Sequence, residues 1–190
     1  MMRQNLTNLP DNLPRPVDDG QTDHLLGEKI PAISLAATNG TEVNLLEEFE
    51  QPTVLFFYPR AGSPLEPNSN TELWDAIPGA RGCTPQSCGF RDFAEEFKKI
   101  GFKIYGLSIQ SPSVQKEFVQ RNHIPFLILS DSKYKLTDKL NLPTFEFEGE
   151  RLIKRMVFVI IDGAISKIFY PVFPPDRNAE AVLTWLKNNK

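Results

Sequence analysis

The feature that most constrains this chain is a junction. A short apolar run rich in β-branched and aromatic residues, Pro52-Thr-Val-Leu-Phe-Phe-Tyr58, passes through a long loop into Gly82-Cys83-Thr84-Pro85-Gln86-Ser87-Cys88, which holds both of the chain's cysteines. The apolar run reads as a buried strand. Beyond the cysteines, Phe90, Phe93, Phe97 and Ile100 recur at helical spacing among charged residues, so a helix follows, with an aromatic stripe turned to the core. The cysteines therefore stand where a strand gives way to a helix.

That location favours a reactive thiol. Thr84 has the chemistry of an N-cap and Pro85 suits a first helical position, which sets Cys83 beside the first free backbone N–H groups. Those donors, the positive end of the helix dipole and Arg81 two residues away all favour a thiolate. Cys88 lies further into the helix, gains less, and is better suited to answer Cys83 than to lead. In an unbroken helix, Cα atoms five positions apart are separated by about 8.6 Å, whereas a disulfide needs about 4.4–6.8 Å. A Cys83–Cys88 bridge therefore requires the first turn to unwind.

The rest of the chain sets limits. With 190 residues, 41% apolar composition and a net charge of −3, it is long enough for one well-filled domain and too balanced to suggest a nucleic-acid or membrane partner. It contains no run of about 18 apolar residues and no charged-then-apolar signal at its amino terminus, so a cytoplasmic, reducing setting is expected. In such a setting two neighbouring cysteines read as redox or catalytic groups. Two cysteines alone make a poor metal site, and His24 and His123 have no ligand spacing. Nor does any local signal place a histidine for a Cys-His protease.

Read in order, residues 1–24 form an extended arm punctuated by Pro10, Pro14 and Pro16. A hairpin around Asn39-Gly40 and a helical turn near Glu47–Phe49 lead into the strand at Thr53–Tyr58. Residues 60–81 read as a long connection, either a tolerated surface insertion or a segment in which Trp74, Ile77 and Pro78 fold over Cys83 as part of its pocket wall. After the cysteine helix, running to about Lys99, come a strand over 102–109, a helix over 111–121, a strand over 126–131 and a short helix over 134–140. Arg151–Ile161 and Ala164–Phe169 pair around the turn Asp162-Gly163, and Ala179–Lys187 closes the chain as a helix. Strands alternating with helices predict an α/β fold with a central mixed β-sheet flanked by helices.

The joint order of Phe57-Tyr58-Pro59, Gly82-Cys83-Thr84-x-x-x-Cys88, Arg91-Asp92, Gly106-Leu107-Ser108, Leu129-Ser130-Asp131 and Arg155-x-x-Phe158 resembles the peroxiredoxins. The C-x-x-x-x-C spacing and Gln86 point to the bacterioferritin-comigratory-protein or peroxiredoxin-Q branch. The resemblance implies a thioredoxin-like fold over 25–190 and a peroxidase that reduces hydrogen peroxide and organic hydroperoxides in antioxidant defence. By the same resemblance, Cys83 is the peroxidatic cysteine, Cys88 the resolving cysteine, and Arg155, on a strand, the arginine that holds thiolate and peroxide together. The implied partners are a hydroperoxide substrate and thioredoxin or a similar dithiol, with no metal or other cofactor, in a monomer or weak homodimer. The substrate pocket is expected around Pro59, Pro78, Gly82, Thr84 and Gln86.

The chain also departs from the family pattern. Pro-x-x-x-Thr-x-x-Cys would put proline at 76 and threonine at 80, where this chain has Ala76 and Ala80. Pro59 or Pro78 is left to shield the sulfur, and Thr84 or a backbone N–H to replace the hydroxyl. A non-enzymatic redox sensor and a thioredoxin-like disulfide oxidoreductase are the alternatives. The second normally uses Cys-x-x-Cys, and here four residues intervene.

Overall fold

Strand β1 (Ser34–Ala37) and strand β2 (Glu42–Asn44) form the hairpin expected around Asn39-Gly40, and the short helix α1 (Leu45–Glu48) follows. The computed structural model describes residues 9–63 and 70–189. Residues 1–8 of the expected arm, 64–69 of the expected connection, with Pro64 and Pro67 among them, and Lys190 lie outside it. Asn44 caps α1 by accepting from the Leu46 N–H at 3.2 Å.

The central unit comprises β3 (Thr53–Phe57), β4 (Lys103–Ser108) and β5 (Ile128–Ser130), which run parallel. Helices α3 (Cys83–Asp92), α4 (Ala94–Lys99) and α5 (Pro112–Asn122) form the crossovers. Strands β8 (Met156–Ile161) and β9 (Ala164–Phe169) pair antiparallel through Asp162-Gly163. Both of those turn residues have positive φ, the requirement of a tight hairpin that made Asp-Gly readable in the sequence. The resulting seven-stranded mixed sheet has the order β2-β1-β5-β4-β3-β8-β9.

Alternation along the strands divides the core into two layers. Val54, Phe56 and Tyr58 join the cluster that holds Phe90, Phe97, Phe118 and Val182 from the helical face. Leu55 and Phe57 point the other way, toward Leu45, Leu136 and Phe147. Gly106 on β4 leaves room for this packing: a Cβ there would stand 2.8 Å from Phe56 Cζ. The Phe56 ring thereby stacks on Phe90, with centroids 4.5 Å apart, and ties β3 to the cysteine helix.

Three local expectations are corrected. The segment 151–161 is two strands rather than one: β7 (Glu150–Ile153) pairs with β6 (Thr144–Phe147) in a separate two-stranded sheet, and β8 belongs to the large one. Arg155 therefore lies between strands, where the chain passes from one sheet to the other, not on a strand. The cysteine helix breaks at Phe93 into α3 and α4. Within the 60–81 connection, Asn70 caps a helix α2 (Thr71–Asp75), and Trp74 packs edge-on to Phe147 at 5.0 Å rather than over Cys83. Sequence spacing could not distinguish a pocket wall from this second aromatic cluster.

Helices α6 (Lys135–Lys139) and α7 (Asn178–Asn188) complete the fold, α7 lying against α3 on the same face of the sheet as Phe90.

Candidate active site

Helix α3 starts earlier than its sequence suggests. Gly82, not Thr84, is the N-cap: its φ of 107° lies in the left-handed region, and a Cβ there would fall 2.3 Å from Pro175 Cγ. Both the backbone conformation and the space demand glycine. The first helical hydrogen bond runs from Gln86 N–H to the Gly82 carbonyl at 3.0 Å, making Cys83 the first helical residue and Pro85 the third. Proline is accommodated there because N–H groups of a first turn have no helical acceptor to lose. Cys83 thus sits at the terminus itself and is only 4% exposed.

The cation at the sulfur is Arg155, whose Nη2 donates to Cys83 Sγ at 3.2 Å. The Arg81 guanidinium instead pairs with Asp75 at 3.1 Å. Arg155 is 3% exposed, and a buried guanidinium is stable only when its N–H groups find acceptors. It finds them in the loop before α3. Nε donates to the Gly79 carbonyl at 3.2 Å, and Nη2 donates to the carbonyls of Ala80 and Arg81 at 2.9 and 3.2 Å. Nη1 donates to Gln86 Oε1. The Cys83 thiol points to the Ala80 carbonyl at 3.7 Å. The guanidinium consequently joins the sulfur, the loop and the first turn of α3 in one network.

Gln86 extends this network. Its amide accepts from Arg155 and donates to Asn178 Oδ1 at 2.9 Å, which ties the first turn of α3 to the start of α7. Both side chains are buried. The carbonyl collar and Asn178 escape sequence reasoning because backbone carbonyls are common to every residue, and Asn178 stands 92 positions from its partner.

Cys88 lies apart, half-buried, with its Sγ 4.0 Å from Asn122 Oδ1. Both cysteines are free thiols within an intact α3, so their bridge requires the first turn and its Gln86 contacts to open. Burial pushes the Cys88 thiol above its ordinary value and the Asp92 carboxylate adds to this, while Arg91 and Arg121 pull in the opposite direction. In the Cys83→Ser variant, alkylation of Cys88 is therefore expected to be slow at neutral pH. It should still be rising at pH values where an ordinary thiol has levelled off, because a raised pKa moves thiolate formation to higher pH. Mass-spectrometric rates of iodoacetamide labelling across that range check this.

The remaining expected residues are distributed around this centre. Ala80 is fully buried and brings no hydroxyl, while Thr84 lies buried in the first turn. Pro78 lines a cavity of about 310 Å³ together with Ile77, Gly79, Arg155, Tyr170 and Val172. Pro59 is buried at the end of the β3 segment and does not line it.

A thiol at a helix N-terminus, beside a thioredoxin-like parallel strand core and gripped by a buried arginine, defines a thiol-based redox protein. Residues 25–183 match the family described as Redoxin, and the chain belongs to that family. Within it, the chain is 30% identical over 167 residues to peroxiredoxin Bcp of Escherichia coli, covering 86% of this chain and 96% of that protein. It is 29% identical to the chloroplastic peroxiredoxin Q of Gentiana triflora, covering 85% of this chain and 66% of the relative. Among solved structures, peroxidoxin BcpB of Mycobacterium tuberculosis superimposes with a TM-score of 0.68 at 25% identity, covering 87% of this chain and 98% of that one. Peroxiredoxins are thiol-dependent peroxidases, and this chain is an enzyme of that class.

Proposed function

We propose that Cys83 reduces hydrogen peroxide and organic hydroperoxides and is recycled through a disulfide with Cys88. The contact between Arg155 Nη2 and Cys83 Sγ, at the first residue of α3, carries this reading. The guanidinium and the free N–H groups of the helix terminus stabilise negative charge on sulfur. The thiolate attacks the terminal oxygen of the peroxide and the O–O bond breaks. Sulfur gains that oxygen as a sulfenic acid, and the departing hydroxide or alkoxide takes a proton to leave as water or alcohol. Arg155, which reaches several oxygen acceptors at once, is suited to hold the peroxide and the leaving oxygen.

Resolution follows by opening of the first turn of α3. The Cys88 sulfur displaces hydroxide from the sulfenic acid, forming the disulfide and water, and a dithiol such as thioredoxin returns both thiols by exchange. In this reading residues 25–190 are the catalytic domain, 1–24 an arm, and the protein works in the cytoplasm as a monomer or weak homodimer. No helix among the described residues is long and apolar enough to cross a membrane.

Intact mass after one equivalent of peroxide tests the cycle, together with thioredoxin-coupled NADPH consumption. Wild type should lose two hydrogens, Cys88→Ser should gain one oxygen, and only wild type should sustain NADPH use. A disulfide without turnover would move the assignment to a redox sensor.

A further inference from the structure

Residues 9–24, which precede the redoxin match, are not separate from the site. Residues 9–19 lie across the loop whose carbonyls hold Arg155. Leu9 Cδ2 stands 3.1 Å from where a Cβ at Gly82 would be, and Pro16 lies 3.5 Å from the equivalent point at Gly79. Arg15 lies over the Phe173 ring at 5.4 Å. Asp19 anchors the end of the segment, accepting from Lys154 Nζ at 2.7 Å and from the Tyr170 hydroxyl at 2.8 Å. Burial opposes the Asp19 charge, but hydrogen bonds from Lys154 and Tyr170 outweigh it and hold the carboxyl below its ordinary value.

This arm closes one side of the cavity beside Arg155. Pro16, Val17 and Asp19 line it together with Ile77, Pro78 and Val172. Its volume of about 310 Å³ is at the small end of small-molecule sites, which span roughly 300–1,000 Å³. The lining is mainly apolar, and its charged members apart from Arg155 are the mutually neutralising Asp19 and Lys154. Val17 is 82% exposed, an apolar side chain left in water at the rim. Arg155 touches the cavity and the Cys83 sulfur at once.

We propose that this arm-walled cavity receives the neutral apolar substituent, aryl or branched alkyl, of an organic hydroperoxide whose peroxy group rests on Arg155. Val17 and Pro16 then act as specificity-determining residues supplied from outside the matched family region. The inference rests on the peroxidase reading above. In the step it serves, the Cys83 thiolate takes the terminal oxygen, the O–O bond breaks, and the alkoxide leaves with a proton as an alcohol in the cavity. Hydrogen peroxide has no substituent to place and draws nothing from the arm.

The test compares cumene hydroperoxide with hydrogen peroxide in full-length wild type, Val17→Asp and Asp19→Ala. Val17 is exposed, so its replacement does not disturb the core. The ratio of second-order rate constants, cumene hydroperoxide over hydrogen peroxide, should fall about tenfold in both variants, the scale of discrimination that one apolar contact supplies. Cumyl alcohol should inhibit wild type competitively and the Val17→Asp variant much less. An unchanged ratio, or a parallel loss with both peroxides, overturns the arm's role while leaving the peroxidase reading intact. A wild type that reduces neither peroxide overturns the peroxidase reading and, with it, the inference.

Discussion

Cys83→Ser is expected to lower peroxide reduction by more than about a thousandfold, leaving no sulfenate by mass and no coupled NADPH consumption. The reacting species is a thiolate, and a serine hydroxyl neither ionises near neutral pH nor forms a stable oxygenated product. The substitution exchanges one small side chain for another at a buried position, and the contacts that hold α3 in place pass through Gln86, Arg155 and Phe90 rather than through the sulfur. The melting temperature should therefore remain close to wild type. An inactive protein with an unchanged melting profile separates chemistry from folding. Normal turnover by this variant would overturn the mechanism.

Arg155→Ala should slow sulfenate formation by roughly 10²–10³-fold, the range seen when one preorganised charge-stabilising donor is removed. It also carries a structural cost. The carbonyls of Gly79, Ala80 and Arg81 and the Gln86 amide oxygen lose their donor, and stranding the buried acceptors on Ala80 and Gln86 costs about 1–3 kcal/mol apiece when water does not replace the donor. The loop before α3 is expected to loosen and the protein to melt earlier. Arg155→Lys distinguishes the two roles: it retains a cation but cannot spread donors over a sulfur, three carbonyls and an amide. Single-turnover sulfenate formation, followed by mass in a Cys88→Ser background, should remain at least tenfold slow in the lysine variant. Recovery to the wild-type rate would reduce the arginine to a point charge.

The missing family threonine fits the same picture. Ala80 supplies no hydroxyl, but its backbone carbonyl accepts from Arg155 at 2.9 Å and faces the Cys83 thiol at 3.7 Å. The loop thus orients the arginine with backbone groups that any residue at position 80 provides.

The sequence by itself determined the alternation of β3, β4 and β5 with helices, the hairpin at Asp162-Gly163 and the junction of strand and cysteine helix. Each depends on burial period or turn chemistry within a few residues. The packing of Trp74, the cap at Gly82 and the break around Lys154-Arg155 are not legible in the sequence because each is decided by a distant neighbour: Phe147 for the tryptophan, Pro175 for the glycine, and the passage from β7 to β8 for the break. Only the tertiary structure decided how Arg155 meets Cys83, 72 positions away, through the antiparallel pairing of β3 with β8. It likewise decided that Gln86 meets Asn178 and that the arm meets the site. Local pattern fixes which face of an element is apolar. Convergence of polar groups on one sulfur depends on which elements become neighbours, and that is set by the packing of the whole sheet and its helices.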